Sequence, residues 1–183
     1  MIESKEDLSY YIQADKKCCG FKSMFVKWLT RSDELYVVLF MYALRHYEYY
    51  LNKKRGVFDI VPYYFWWWNY RRLKLKSGLF IYPNVLGPGV DIVHPGYVRI
   101  GPFVKMGKDC TILPMVLFGR KKPIDDYSDI VLGDNVYIST GVTILGPVTI
   151  GNNVTIGAGA VVTKDIPDNC VVAGVPAKII NYK

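Results

Sequence analysis

The chain has 183 residues, 51% of them apolar, and carries 23 Lys and Arg against 16 Asp and Glu, for a net charge of +7. This length predicts one domain with room for a helical annex, and the apolar fraction is ample for a core. The cationic excess favours anionic ligands. No basic run is interleaved with a nucleic-acid motif, which argues against nucleic acid, and no apolar stretch is long enough to cross a bilayer.

Residues 4 to 19 read as a helix, with Ser4 and Asp7 placed as a capping box and Leu8, Tyr11 and Ile12 at helical spacing. Residues 22 to 30 read as a short second helix. Ser32 is expected to cap a longer one, from Asp33 to about Asn52, with Leu35, Val38, Leu39, Tyr42 and His46 on one stripe. His46 reads as a surface or core histidine rather than a ligand. Lys53, Lys54, Arg55 and Gly56 supply the cations and left-handed glycine that suit a helix C-terminus. Pro62 can start the next helix, which carries YYFWWWNYRRLKLK over 63 to 76 and closes at Gly78. Its aromatic-then-basic run suits either a membrane-surface helix or packing against the rest of the chain or a neighbouring subunit, and packing is the preferred reading. The cysteines Cys18, Cys19, Cys110 and Cys170 lack metal-site spacing and follow no signal peptide, so reduced thiols and a cytoplasmic location are expected.

From Leu132 to Pro167 the chain runs in six-residue units: LGDNVY, ISTGVT, ILGPVT, IGNNVT, IGAGAV, VTKDIP. Leu132, Ile138, Ile144, Ile150, Ile156 and Val162 open them, and Gly often follows the opener. A period of six fits neither a helix nor a simple alternating strand. It fits short strands joined by turns, each repeat stacking on the one below, as in a parallel β-helix. The same phase runs upstream, with His94, Ile100, Met106 and Ile112 as openers. The frame breaks between Leu117 and Leu132, so 118 to 131 is expected as an extruded loop, and a loop of that length inside a repeat is either functional or disordered. This divides the chain into a helical region, 1 to 78, and a β-helical region, 79 to 183.

The stretches PNVLGPGVDIVHPGYVRIG (83 to 101), the hexapeptide run and AGVPAKII (173 to 180) resemble the serine acetyltransferase family of hexapeptide-repeat acyltransferases. The opening SKEDLSYYIQADKKCCG is similar to serine acetyltransferase-like proteins of bacterial polysaccharide loci. The resemblance implies a left-handed coil, acetyl-CoA as co-substrate, a place in cysteine biosynthesis and a homotrimer, with the aromatic helix a candidate for pairing trimers. It implies His94 as general base. The matching donor-side positions are Gly119, Ser139, Thr140, Gly141, Ala158 and Gly159, with Lys164 placed for a phosphate of coenzyme A.

Three features depart from the family pattern. Val93 stands where the family has an Asp before the base. Phe80-Ile81-Tyr82-Pro83 stands where it has Asp-Ile-His-Pro. The loop carries Asp126-Tyr127-Ser128-Asp129 in place of Asp-Arg-His-Pro. Asp91, Asp125, Asp126 and Asp129 are the candidates to orient His94, with Asp91 foremost, and Arg120, Asp126, Tyr127 and Asp129 the candidates to meet an acceptor. The readings that stand are an O-acetyltransferase acting on serine, one acting on a sugar hydroxyl of a polysaccharide precursor, and a non-catalytic scaffold that binds coenzyme A. A β-helical metalloenzyme needs three histidine ligands, and the chain has two histidines, so no metal is expected. The chain stops at Asn181-Tyr182-Lys183, without the isoleucine-ended tail that the family offers to a sulfhydrylase, so no such complex is expected.

Overall fold

The computed structural model describes residues 1–18, 32–54, 56–121 and 129–183. The helix expected over 22 to 30, Cys19, Asp125, Asp126 and Tyr127 lie outside the described residues.

Among the described residues, three α-helices precede a coil of short strands. Helix α1 spans Lys5–Cys18. Its capping box forms as expected: the Asp7 amide donates to Ser4 Oγ at 3.0 Å, and the Ser4 amide donates back to Asp7 Oδ2 at 3.0 Å. Helix α2 spans Glu34–Asn52, and its cap is Asp33, whose carboxylate accepts from the Glu34 amide, rather than Ser32. Its C-cap is Lys53 in extended geometry, and Gly56 has φ −93°, so the expected left-handed glycine stop is not used. The chain leaves α2 extended and enters a 3-10 turn, Val57–Asp59, that leads straight into α3, Ile60–Ser77. Pro62 sits in the first turn of α3, and Gly78 closes the helix at φ 74°.

The expected stripe on α2 is only partly its core face. Val38 is buried as expected, together with Phe40, Met41, Leu44 and Tyr47, whereas Leu35, Leu39, Tyr42 and His46 sit at the margin. His46 stacks on Trp66 of α3 at 4.3 Å, and its Nδ1–H donates to Tyr42 O at 2.9 Å. Helix α2 is apolar on nearly every side, so periodicity alone could not single out the face that meets the coil.

The strands form three sheets whose members pair in parallel from one coil to the next. Sheet I holds β1 (Leu79–Ile81), β3 (Val98–Ile100), β6 (Val116–Arg120), β9 (Thr143–Gly146) and β12 (Val161–Val162). Sheet II holds β4 (Val104–Met106), β7 (Ile130–Leu132) and β10 (Val148–Ile150). Sheet III holds β2 (Asp91–Ile92), β5 (Thr111–Ile112), β8 (Tyr137–Ile138), β11 (Thr155–Ile156) and β13 (Cys170–Ala173), with β14 (Lys178–Tyr182) added antiparallel at its edge. The chain visits sheets I, II and III in turn and climbs one rung per circuit, the winding that the six-residue period predicts. Openers stack into inward columns: Ile100, Phe118, Ile144 and Val162 in sheet I, and Ile112, Ile138 and Ile156 in sheet III, all buried.

Phe118 continues the frame from Ile112, is buried, and pairs with Ile144. The excursion expected over 118 to 131 is therefore narrower, lying between Arg120 and Ile130. The corners from sheet II to sheet III repeat as Gly107-Lys108-Asp109, Gly133-Asp134-Asn135 and Gly151-Asn152-Asn153. The third residue of each is left-handed, φ 55–56°, a conformation that Asn and Asp tolerate better than most residues. A Cβ at Gly107 would lie 2.4 Å from Gly133 O, which is why glycine follows the opener. Asn135, Asn153 and Asn169 form a side-chain ladder along this edge at 3.1 and 2.9 Å.

The helices cover the first coil. Arg45 is 1% exposed and uses its whole donor fork. It donates to Asp15 at 2.8 and 3.4 Å, to Glu48 at 3.1 Å, and to the carbonyls of Leu86 and Gly87 at 3.0 and 2.7 Å. Asp15 also accepts from the Gly89 amide and Glu48 from the Asn84 amide, so this ion cluster ties α1 and α2 to the non-strand part of the first coil. Tyr70 of α3 donates to Ile81 O at 2.6 Å. The inner face of the aromatic helix thus packs on the coil, while Phe58, Val61, Phe65, Trp68 and Leu75 remain exposed outside. Among the described residues, no helix is long and apolar enough to cross a membrane.

Candidate functional site

His94 lies on the edge where the chain turns from sheet III back to sheet I. The later turns on this edge need three residues between inward-facing neighbours: Ile112 to Val116, Ile138 to Val142, Ile156 to Ala160. The first, from Ile92 to Val98, needs five. Those two extra residues correct the sequence frame. Ile92, not His94, occupies the aliphatic opener position, pairing with Ile112 and 2% exposed, and His94 is pushed out onto an enlarged, solvent-exposed corner. An imidazole in the inward column would have to be desolvated among Ile side chains; the insertion avoids this.

The corner is held on both sides. The Val93 amide donates to Ile112 O at 3.2 Å, the Gly96 amide to Ser77 O at 2.9 Å, and the Val98 amide to Gly78 O at 3.2 Å. Tyr97 O accepts from the Met115 amide at 2.7 Å. Carbonyls left over at the C-terminus of α3 thus find their partners in the histidine corner. The fit is close: a Cβ on Gly78 would lie 2.9 Å from Gly96 C and O. His94 therefore sits between two anchored peptides, with its ring in solvent.

Above it on the same edge stand Pro114 and Met115, then Ser139, Thr140 and Gly141, then Gly157, Ala158 and Gly159. Thr140 Oγ1 and the Gly141 amide both donate to Pro114 O, and the Gly159 amide donates to Thr140 O. Five of the expected donor-side residues, Ser139, Thr140, Gly141, Ala158 and Gly159, therefore form one ladder with His94 at its foot. The other two do not share it. Gly119 lies within sheet I, where a Cβ would meet Leu145 at 3.2 Å, and Lys164 is exposed on the edge between sheets I and II. Arg120, its guanidinium 5.0 Å from the Phe103 ring centre, and exposed Asp129 border that second edge too. Within one chain a strand of sheet I, ~13 Å at ~3.3 Å per residue, separates these expected acceptor contacts from His94.

Asp91 lies on β2 just before the corner. It lines a small cavity of about 150 Å³ with Cys18, Glu34, Val37 and Val93, beneath α1 and α2. Burial, with Asp91 and Asp109 nearby, pushes the Cys18 thiol above its usual range, and burial pushes Cys110 up to about 11. Among the described residues, Cys18, Cys110 and Cys170 are free thiols, and no group of His, Cys, Asp and Glu is set to hold a metal ion.

The sequence reading missed a second feature of this end of the coil. Between α3 and the first rung of sheet I lies a cavity of about 490 Å³, walled by Trp67, Arg71, Lys74, Phe80 and Tyr82. Its signal was legible as a run without Asp or Glu from Ile60 to Val90, though only the fold brings Phe80 and Tyr82 against the helix.

The profile described as "Bacterial transferase hexapeptide (six repeats)" matches residues 129–164. The serine acetyltransferase of Synechococcus elongatus is 37% identical over 108 residues, 58% of this chain and 44% of the relative. The galactoside O-acetyltransferase of Lactococcus lactis is 35% identical over 114 residues, 61% of this chain and 54% of the relative. The chain thus spans about half the length of these curated relatives. Among solved structures, the Brucella abortus serine acetyltransferase in complex with coenzyme A superimposes with a TM-score of 0.68 at 26% identity, over 96% of this chain and 67% of that one. Parallel strands in a six-residue repeat, a profile match within them and a fold shared over nearly the whole length lead to one conclusion: this is a hexapeptide-repeat protein similar in sequence and in fold to serine acetyltransferases.

Proposed function

We propose that the protein is an acetyl-CoA-dependent O-acetyltransferase in which His94 is the general base. The observation that carries this reading is the enlarged corner: an exposed imidazole between two anchored peptides, at the foot of a ladder of small residues. Small side chains let a ligand approach the backbone closely, as the pantetheine arm of the donor requires. Lys164 is assigned to the coenzyme's phosphates and Gly119 to the donor arm. The relatives' names support acyl transfer, and coenzyme A is bound by the Brucella neighbour. On the family resemblance, the coil is left-handed and the protein a homotrimer, in which Arg120, Asp129 and the loop with Asp126 and Tyr127 serve a neighbouring chain's His94.

A hydroxyl is a weak nucleophile until its proton is removed during attack. His94 takes that proton as the acceptor oxygen bonds to the acetyl carbonyl carbon. The tetrahedral intermediate then expels the thiolate of coenzyme A as the C–S bond breaks. The proton on His94 passes to the departing sulfur, so the base is restored. Asp91 is assigned to orient the ring. Serine is the acceptor that most relatives' names indicate, and a sugar hydroxyl the second, favoured by the galactoside O-acetyltransferase match and by Phe80 in place of the family's carboxylate.

The test is thiol release from acetyl-CoA with a panel of serine, other amino acids and sugars. His94→Asn is expected to lower turnover by roughly 10²–10⁴-fold with coenzyme A affinity retained. Near wild-type turnover in that variant on the best acceptor would remove His94 from the mechanism.

A further inference from the structure

The 490 Å³ cavity beside the first rung is of a size usual for small-molecule sites. Its walls are of two kinds. Trp67 of α3 and Phe80 and Tyr82 of the first coil offer aromatic faces. Arg71 and Lys74, one turn apart on α3, offer cations, and Arg99, outside the lining but paired with Phe80 across sheet I, adds a third charge felt by Lys74. Lys74 Nζ lies 5.6 Å from the Phe80 ring centre and 5.3 Å from that of Tyr82. No acidic residue lines the cavity, and among the described residues no carboxylate pairs with Lys74, Arg71 or Arg99. Burial and the two arginines hold Lys74 below the usual lysine range, and its ammonium meets the rings of Tyr70, Phe80 and Tyr82 in place of a carboxylate.

The cavity also adjoins the histidine corner. The Phe80 ring contacts that of Tyr97 at 5.9 Å, and Tyr97 is three residues beyond His94 in the same anchored turn. Along the coil axis the order is therefore this cavity at the first rung, His94 between the first and second, and the small-residue ladder above. A donor lying on that ladder leaves the cavity on the other side of the base.

We propose that this cavity is the acceptor subsite and that it takes a pyranose carrying a phosphate ester. The sugar ring stacks on Phe80 and Tyr82 with Trp67 opposite, and the phosphate is met by Lys74, Arg71 and Arg99. Aromatic faces suit the C–H face of a pyranose, and clustered cations suit a phosphate. A free amino acid has no ring to stack, and its ammonium would enter a site lined with cations. The proposal rests on His94 as base and narrows the acceptor of that reaction, with a ring hydroxyl surrendering its proton to His94.

Titration calorimetry on the full chain tests it, with glucose 1-phosphate, UDP-glucose, glucose, inorganic phosphate and adenosine 3′,5′-bisphosphate as probes. The first two are expected to bind saturably, and whichever binds tighter identifies a free or nucleotide-linked sugar phosphate. Glucose and inorganic phosphate are expected to bind at least tenfold more weakly. Lys74→Gln and Arg71→Gln should each weaken sugar-phosphate binding by roughly tenfold or more, and Phe80→Leu should weaken it through the ring. His94→Asn should bind the sugar phosphates within about twofold of wild type while transfer is lost. Several outcomes overturn the proposal: no saturable binding of either sugar phosphate, inorganic phosphate binding equally well, or adenosine 3′,5′-bisphosphate competing for the cavity. The two readings fail separately. Lost transfer in His94→Asn with no sugar-phosphate binding sinks the cavity alone, and binding with transfer retained in His94→Asn sinks the base alone.

Discussion

The regular coils from Ile130 to Val172 and the first coil with its helices are held together by different physics. In the regular coils each inward aliphatic residue rests on another from the rung below, and the Gly-x-Asn corners repeat the same backbone geometry and side-chain ladder. Stability there is shared between near-identical neighbours. The first coil has no rung beneath it. Its exposed end is closed by α2 and α3, and the contact is carried by a buried cluster of Arg45, Asp15 and Glu48 that grips carbonyls and amides from Asn84 to Gly89. Repetition lets a chain stack on itself with apolar contacts alone. A unique junction with exposed backbone groups needs polar side chains to satisfy them. The candidate site lies at this seam, in the one corner on its edge that departs from the repeat.

Four experiments bear on that contrast. The largest loss is expected from Arg45→Met. It strands Asp15 and Glu48 in a buried site, at a cost of about 3–5 kcal/mol, and urea unfolding should show it, with helix loss preceding loss of strand signal. A fall no greater than that of an exposed substitution would mean that the junction does not depend on its ions. Next comes Ile138→Ala in the middle of the sheet III column. The cavity left behind should cost about 2–5 kcal/mol, and because each rung contacts only its neighbours, the loss should not depend on whether Arg45 is also replaced. Strong coupling between the two in a double-mutant cycle would erase the distinction between the regions.

A smaller effect is expected at the corners. Asn153→Ala places a Cβ-bearing residue without a capping amide at φ 55° and breaks the ladder to Asn135 and Asn169. A cost of about 1–2 kcal/mol is expected, with Asn153→Gly losing less because glycine accepts the same backbone. Equal losses in a thermal melt would show that the ladder, not the backbone, sets the cost. The smallest effect belongs to the helical side. The amides of Glu3 and Ser4 and the Ser4 hydroxyl hold the Asp7 carboxyl below its usual value of 3.8. A depressed folded pKa stabilises above the unfolded value and is lost as pH falls through the folded one. Asp7→Asn should therefore weaken α1 at neutral pH and make little difference once the solution is acidic enough to protonate Asp7 in the wild type. Thermal melts of both proteins across that range check it. The coil, built on aliphatic stacking, should show no matching pH dependence for Ile138→Ala.

The six-residue period, the openers and the glycines after them were open to sequence reading because each rung repeats the local conditions of the next. The capping box of α1 and the αL stop at Gly78 were legible for a similar reason: they depend on residues within a few positions of one another. His94 was legible as a candidate, but its place was not. Counting in sixes put it in an inward column, and only the pairing of Ile92 with Ile112 revealed two extra residues and an exposed ring. The face that α2 turns to the coil was hidden because the helix is apolar almost all round. The sharing of Arg45 between Asp15, Glu48 and two carbonyls of the first coil spans separations of up to 42 residues, which no local pattern encodes. The aromatic and cationic cavity has the same origin: Trp67, Arg71 and Lys74 share a helix face by local geometry, but Phe80, Tyr82 and Arg99 join them only once α3 folds back onto the first rung. Sequence by itself determined what repeats or acts between near neighbours; tertiary structure decided which distant groups share a site, because that depends on how the helices close the end of the coil.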